Sequence, residues 1–192
     1  MCLRATPPAV ASRPHPPHAP LPRTPHPPLD RDYNYTQGVG YAQTMRWVFS
    51  RMNSSGGVPA ACVAANAADP ARCIFAEHVA PTLRTPFFPL QSQYDSWQAR
   101  NVLVNASSAP AMNAYGALLR ERLERSLLAP SPRSGAFLDA CYHHCGNWGM
   151  TIDGQTTAAA FSTWWDALGK AGAKQLWVNA SAFPCTSCCQ IA

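Results

Sequence analysis

Apolar residues recur at helical spacing in three segments of the chain, which we predict to be amphipathic helices. Residues 41–52 carry the first pattern, and the turn formers of residues 53–57 end it. Met112–Leu128 carries the second, and two prolines stop it at Pro130 and Pro132. Its predicted apolar face comprises Ala117, Leu118, Leu119, Leu123, Leu127 and Leu128. The third helix, Thr156–Leu168, presents the apolar side chains of Phe161, Trp164, Trp165 and Leu168, and Gly169 follows it.

Two short apolar runs indicate strands, and each is followed by a titratable residue. The first run spans residues 80–90 between prolines, which occur at the starts, edges or bulges of strands. Asp95 therefore lies just past a predicted strand end. The second run is Gly135–Cys141, which leads directly to His143 and His144.

These two runs supply an acid and a base in the order that a serine hydrolase of the α/β type uses. In that class the serine comes first, then the aspartate or glutamate, then the histidine, each on a loop after a strand. Asp95 and His144 stand in this order, but no Gly-x-Ser-x-Gly pentapeptide occurs in the sequence. At 192 residues the chain is also shorter than such a fold usually needs. The pattern predicts the back half of a secreted serine esterase.

Composition separates an arm from a globular domain. The chain is 47% hydrophobic and only 13% charged, which is typical of a packed core. Residues 1–34 are the exception, because this proline-rich stretch has too few apolar residues to offset its ordering entropy, and we predict a disordered arm. Residues 35–192 form the predicted domain. The net charge of +5 is scattered and forms no basic stripe, which argues against nucleic-acid binding.

Cysteines and glycosylation signals indicate an extracellular protein. The chain has eight cysteines, and Asn-X-Ser/Thr sequons occur at Asn34, Asn53, Asn105 and Asn179. No segment is long enough to span a membrane. No signal-peptide pattern follows Met1 either, and since the cysteines and sequons indicate secretion, we expect the true start of the protein, with its signal, to lie upstream.

Cys62 and Cys73 bracket a small-residue loop with a turn at Asp69-Pro70, which favours a local disulfide. The pairing of the other candidates stays open: Cys141, Cys145, Cys185, Cys188 and Cys189.

His143 and His144 admit a structural, a metal-binding or a catalytic interpretation. Zinc could draw on these histidines and on the five carboxyl-terminal cysteines, but the spacings C-x3-C and C-x2-C-C are not standard zinc patterns. We therefore predict no metal. Asp95 has a structural alternative as well, because it can cap a helix that begins near Ser96.

The chain from about Tyr35 onward resembles the pectin acetylesterase family, which includes the Notum carboxylesterases, and it is more similar to the plant-type branch. Three ordered motifs carry the resemblance: Leu83–Phe88 followed by Tyr94–Gln98, the block Gly135–Cys145, and Ile152–Thr157 before Trp164-Trp165. The resemblance implies an α/β-hydrolase-like fold with a doubly wound, mostly parallel sheet, of which this chain is the carboxyl-terminal part. It also implies a Ser-Asp-His triad that removes acetyl esters from pectin without a cofactor.

On this resemblance Asp95 matches the triad aspartate, His144 matches the triad histidine, and His143 has no catalytic role. The chain departs from the family by lacking the nucleophile elbow and by having Gly146 where a glutamine is common. Without its serine a triad loses nearly all its chemistry, so the chain alone is expected to be inactive.

A non-catalytic alternative is an extracellular pseudoesterase or carbohydrate-binding module. Its sugar-stacking residues would be drawn from Trp97, Trp148, Trp164 and Trp165.

Overall fold

The computed structural model describes residues 39–103, 108–145, 149–168, 170 and 172–189. The predicted arm lies outside these ranges, as do two of the sequons and three further residues named above. These are Asn34, Asn105, Gly146, Trp148 and Gly169.

A small parallel sheet forms the centre of the fold. In chain order the strands are β1 (Leu90–Ser92), β2 (Ala136–Asp139), β3 (Thr151–Ile152), β4 (Gln155–Thr156) and β5 (Leu176–Val178). β1, β2 and β5 pair in parallel in the order β1-β2-β5, while β3 and β4 form a separate antiparallel hairpin. All four residues of β2 are buried, as expected for a central strand covered on both faces.

Helices fill the connections between the parallel strands. The α-helices are α1 (Val39–Arg51), α2 (Ala60–Ala65), α3 (Ala76–Val79), α4 (Ser96–Asn101), α5 (Ala109–Leu123) and α6 (Thr157–Asp166). Short 3-10 turns span Ser54–Gly57, Pro70–Ile74 and Ala80–Thr82, and a π turn, Glu124–Leu128, continues α5. The chain passes from β1 to β2 through α4 and α5, and from β2 to β5 through the hairpin and α6. Each parallel pair is thus joined by a helical crossover, as parallel pairing requires.

The predicted strand over residues 80–90 is mostly wrong. Residues 80–82 form a 3-10 turn, and regular strand pairing begins only at Leu90. Prolines explain the difference, because they lack the N–H that a strand donates to its neighbour. The segment still lies alongside β2, since the carbonyls of Phe87 and Pro89 accept hydrogen bonds from the amides of Gly135 and Phe137 at 2.8 and 2.9 Å.

The predicted helices exist, but part of their predicted apolar faces is wrong. On α5 the residues that are buried include Met112 and Gly116, whereas Ala117 and Leu118 face solvent. On α6, Trp164 is buried and its indole donates to the carbonyl of Arg133 at 3.0 Å, whereas Trp165 is 59% exposed. Helical spacing alone does not fix which side of a helix meets the sheet.

The core lies on the two faces of the sheet. Phe137 and Trp177 pack with Trp164 on one face, and Leu138 packs with Leu123 on the other. Parallel register places Leu90, Phe137 and Trp177 side by side across the three strands.

Disulfides join segments that the sheet does not. Cys62 in α2 is bonded to Cys73, with the sulfurs 2.06 Å apart. The carboxyl-terminal candidates pair as Cys141 with Cys189 and Cys185 with Cys188, and Cys145 is also disulfide-bonded. Within the described ranges, no helix has the length and apolar character needed to cross a membrane.

Candidate active site

Asp95 and His144 meet at the carboxyl-terminal edge of the parallel sheet. Asp95 follows β1 and His144 follows β2, so two neighbouring strands deliver them to the same edge. Nδ1 of His144 lies 2.9 Å from Oδ2 and 3.1 Å from Oδ1 of Asp95. The structure thus brings together the two residues that the sequence predicted as acid and base, although they are 49 residues apart.

The Asp95 carboxylate is buried and fully engaged. Its side chain is 2% exposed. Oδ1 accepts hydrogen bonds from the amides of Trp97 and Gln98 at 2.9 and 2.8 Å, which caps α4, and Oδ2 accepts from the side-chain amide of Gln91 at 3.2 Å. The helix-cap and triad interpretations of Asp95 are therefore compatible, because different contacts of one carboxylate serve each.

Electrostatics keep this carboxylate ionised. Burial alone would raise the pKa of Asp95, but hydrogen bonds from the Gln98 amide, His144 and Gln91 outweigh burial and lower the pKa below its ordinary value. An ionised Asp95 accepts a hydrogen bond from Nδ1–H of His144, which leaves Nε2 as the basic nitrogen of the neutral ring.

Tyr115 is linked to Asp95 through Gln98. The hydroxyl of Tyr115 donates to Oε1 of Gln98, the residue whose backbone amide donates to Oδ1 of Asp95. Burial, together with the negative charge of Asp95, raises the pKa of Tyr115 to about 12, so this phenol stays protonated and remains a donor. Neither Gln91 nor Tyr115 is identifiable from the sequence, because only the tertiary structure places them near Asp95.

The lowered pKa of Asp95 predicts a specific acid sensitivity. Between the lowered pKa of the folded state and the ordinary value near 3.9, the unfolded state binds more protons, so stability falls as pH falls. Asp95→Asn should therefore flatten the dependence of the unfolding free energy on pH below about 4, as measured by urea denaturation at a series of pH values. Asp166→Asn, which removes an exposed carboxylate from α6, should keep the steeper dependence. Equal slopes in the two variants would contradict the prediction.

His144 is held against an aromatic surface. Its ring stacks on Trp97 with centroids 5.7 Å apart, and Tyr41 of α1 meets Trp97 edge-on at 5.4 Å. The His144 side chain remains 36% exposed. Because Nδ1 points to Asp95, Nε2 lies on the opposite side of the ring, where a general base needs it.

The cysteines near the site favour disulfides over zinc. The sulfurs of Cys141, Cys188 and Cys189 lie within 4.8 Å of one another, which is close enough for a shared ion. Each of the three is in a disulfide, however, and a disulfide sulfur is not the thiolate that zinc binds. The bond from Cys141 to Cys189 instead anchors the loop that carries His144.

The tryptophans proposed to stack on sugar rings in the non-catalytic alternative differ in exposure. Trp164 is wrong for this role because its ring is buried in the core. Trp97 is half-buried beside His144, and Trp165 is exposed on α6.

Comparison with known proteins identifies the family. A family model described as pectinacetylesterase matches residues 31–190. The chain belongs to the pectinacetylesterase family. This confirms the resemblance, and the family is one of carboxylic ester hydrolases.

Curated relatives and a solved structure agree with the family. Pectin acetylesterase 7 of Arabidopsis thaliana is 31% identical in an alignment 96 positions long, which covers 40% of this chain and 24% of that protein. Pectin acetylesterase 11 of the same plant is 29% identical over 61% of this chain and 36% of its own length. The Wnt deacylase Notum from Drosophila matches with a TM-score of 0.60 at 25% identity, over 80% of this chain and 45% of the Notum chain.

These matches establish the fold. The parallel sheet with helical crossovers is part of an α/β-hydrolase-like fold, as predicted. The chain spans less than half the length of these pectin acetylesterases and of Notum.

Proposed function

We propose that this pectinacetylesterase chain supplies the general base and its orienting acid to a secreted serine carboxylesterase that removes acetyl esters from pectin-type polysaccharide. The observation that carries the proposal is the contact of 2.9 Å between His144 Nδ1 and Asp95 Oδ2 at the ends of adjacent parallel strands. The nucleophile is a serine in a Gly-x-Ser-x-Gly elbow outside these 192 residues, since the sequence has no such pentapeptide.

The proposed reaction follows the charge state of the pair. Nε2 of His144 takes the proton of the serine hydroxyl as the serine oxygen attacks the acetyl carbonyl, and the Asp95 carboxylate stabilises the imidazolium that forms. His144 then gives this proton to the sugar oxygen as the ester bond to it breaks, so that the sugar leaves as an alcohol and the serine is acetylated. In the second half of the reaction, His144 takes a proton from the water molecule that attacks the acetylated serine, and it gives that proton to the serine oxygen as acetate is released. No cofactor takes part.

An extracellular location fits the covalent features. Disulfides of this number are typical of oxidising compartments. Of the two described sequons, Asn53 is exposed, whereas Asn179 is half-buried and its Oδ1 accepts a hydrogen bond from the Ser181 amide at 3.0 Å. Asn53 is therefore the better candidate for glycosylation.

A joined protein tests the proposal. Residues 31–192 are placed behind the amino-terminal part of Arabidopsis pectin acetylesterase 11 that precedes its matched region, and acetate release from acetylated pectin is measured. The 192-residue chain alone should release no acetate above the buffer rate, because it lacks the serine, whereas the joined protein should release it. A folded, monodisperse joined protein without activity, or an active chain alone, would contradict the proposal.

The second candidate is binding of acetylated polysaccharide without catalysis. The exposure of Trp165 favours it, because an exposed indole can stack on a sugar ring. Saturable binding of acetylated pectin by the chain alone that Trp165→Ala abolishes, together with an inactive joined protein, would support this candidate over the esterase.

A further inference from the structure

A second histidine–aspartate pair lies beside the first. Nε2 of His143 is 3.0 and 3.1 Å from the two carboxylate oxygens of Asp139, the last residue of β2. Asp139 is buried, and its Oδ1 also accepts a hydrogen bond from the amide of Cys141 at 2.9 Å. This pair is anchored in the rigid central strand, whereas His144 lies on the loop that follows it.

Two groups accept hydrogen bonds from the His143 ring. Besides Asp139, the backbone of Cys145 accepts a hydrogen bond from it. The hydrogen bond to Asp139 raises the pKa of His143, burial opposes this rise, and the charges of Asp139 and Asp95 and the contact with Cys145 add to it. The charged ring, which has a donor at each nitrogen, therefore suits this position better than the neutral ring.

The main chain of His143 joins the loops of the two candidate catalytic residues. Its carbonyl accepts a hydrogen bond at 3.0 Å from the amide of Ser96, the residue directly after Asp95. Its own amide donates to the carbonyl of Cys141 at 3.1 Å. A shift of His143 would thus move the His144 loop relative to Asp95, and a displacement of about 1 Å is enough to impair a catalytic pair.

We propose that His143 is a positioning residue. Its ring binds Asp139 at the end of β2, and this contact holds the loop of residues 140–145 in place and so keeps Nδ1 of His144 at the Asp95 carboxylate. This rests on the proposed function of the Asp95–His144 pair. His143 does not itself exchange protons with substrate, because its Nε2 is committed to Asp139. The titratable groups that act on His143 are Asp139 from β2 and Asp95 from the start of α4, and His144 adjoins it in the chain.

The tautomer of His144 tests the proposal in the 192-residue chain without any need for catalysis. Nitrogen-15 NMR of labelled histidines distinguishes a proton on Nδ1 from one on Nε2. The unsubstituted chain should hold neutral His144 in the single Nδ1–H form that Asp95 selects. His143→Gln and Asp139→Asn should each lose that single form and show a mixture of the two tautomers.

Two controls separate clamping from general damage. His78→Gln changes a half-buried histidine of α3 that contacts Glu77 and Arg72, and it should leave the His144 signals unchanged. Asp139→Asn keeps an oxygen for the Cys141 amide, so it preserves this turn if His143→Gln fails to fold. If neither variant folds, titration of the unsubstituted chain still tests the His143–Asp139 contact on which the positioning role depends, because His143 should then titrate at a higher pH than His78, whose pKa burial lowers.

The outcomes distinguish this proposal from the one on which it rests. Folded His143→Gln and Asp139→Asn chains that retain the Nδ1–H form of His144, while Asp95→Asn loses it, would overturn the positioning role alone. An Asp95→Asn chain that retains this form would overturn the acid–base pair itself. A His143 that titrates at or below the pH of His78 would also overturn the positioning role.

Discussion

Replacing His144 by alanine in the joined protein should lower the rate of acetate release on the order of 10⁶-fold, and Asp95→Asn should lower it about 10⁴-fold. In the proposed mechanism, alanine removes the base that takes the serine proton. Asparagine keeps the side-chain oxygen that caps α4, but its NH₂ faces Nδ1 of His144 and selects the tautomer with the proton on Nε2. That tautomer cannot accept a proton from the serine. Initial rates of acetate release from acetylated pectin at neutral pH measure both effects.

The matched controls are His78→Gln and Asp166→Asn, which change a histidine of α3 and an exposed carboxylate of α6. Both should keep the unsubstituted rate, since neither residue contacts the pair. Circular dichroism checks that every variant is folded. A loss of less than tenfold in a folded His144→Ala protein would exclude His144 as the general base.

Phe137→Ala should lower the free energy of unfolding of the chain by about 3–5 kcal/mol. Phe137 is 1% exposed at the centre of β2, with Leu90 and Trp177 beside it on the neighbouring strands. Removing its ring loses apolar burial and leaves a cavity in a sheet whose backbone pairing prevents collapse around it. Urea denaturation with the disulfides intact gives the change as a shift of the midpoint.

Leu118→Ala is the matched control for Phe137→Ala, because Leu118 is 40% exposed on α5. It should cost less than about 1 kcal/mol. Similar losses in the two variants would mean that β2 is not the centre of the core. Since β2 also ends at Asp139 and leads into the His144 loop, Phe137→Ala should reduce activity in the joined protein in proportion to the fraction unfolded.

Local signals predicted the elements whose formation depends on nearby residues. The helices near residues 41–52 and 156–168 were predicted from apolar spacing and from the turn formers after them, and both form within a few residues of the predicted bounds. The strand over Gly135–Cys141 was recognised as a continuous apolar run because a central parallel strand is buried on both faces.

Where local signals conflicted, the sequence was a poor guide. Between residues 80 and 90 the apolar run indicated a strand, but the missing N–H groups of the prolines delayed regular pairing until Leu90. The face of α5 was misjudged at Ala117 and Leu118, since an apolar stripe does not by itself specify which part of it the sheet covers.

The order of Asp95 and His144, their residue types and the family motifs around them can be read from the amino-acid sequence alone. The folded chain was needed to establish that Asp95 both caps α4 and contacts His144, that Cys141 pairs with Cys189, and that Asp139 holds His143. Contacts such as these join residues that are distant in the chain, and they depend on sheet register. Pairing of Ser92 with Asp139 at the ends of β1 and β2 brings the following loops together, and no local propensity in either segment encodes that pairing.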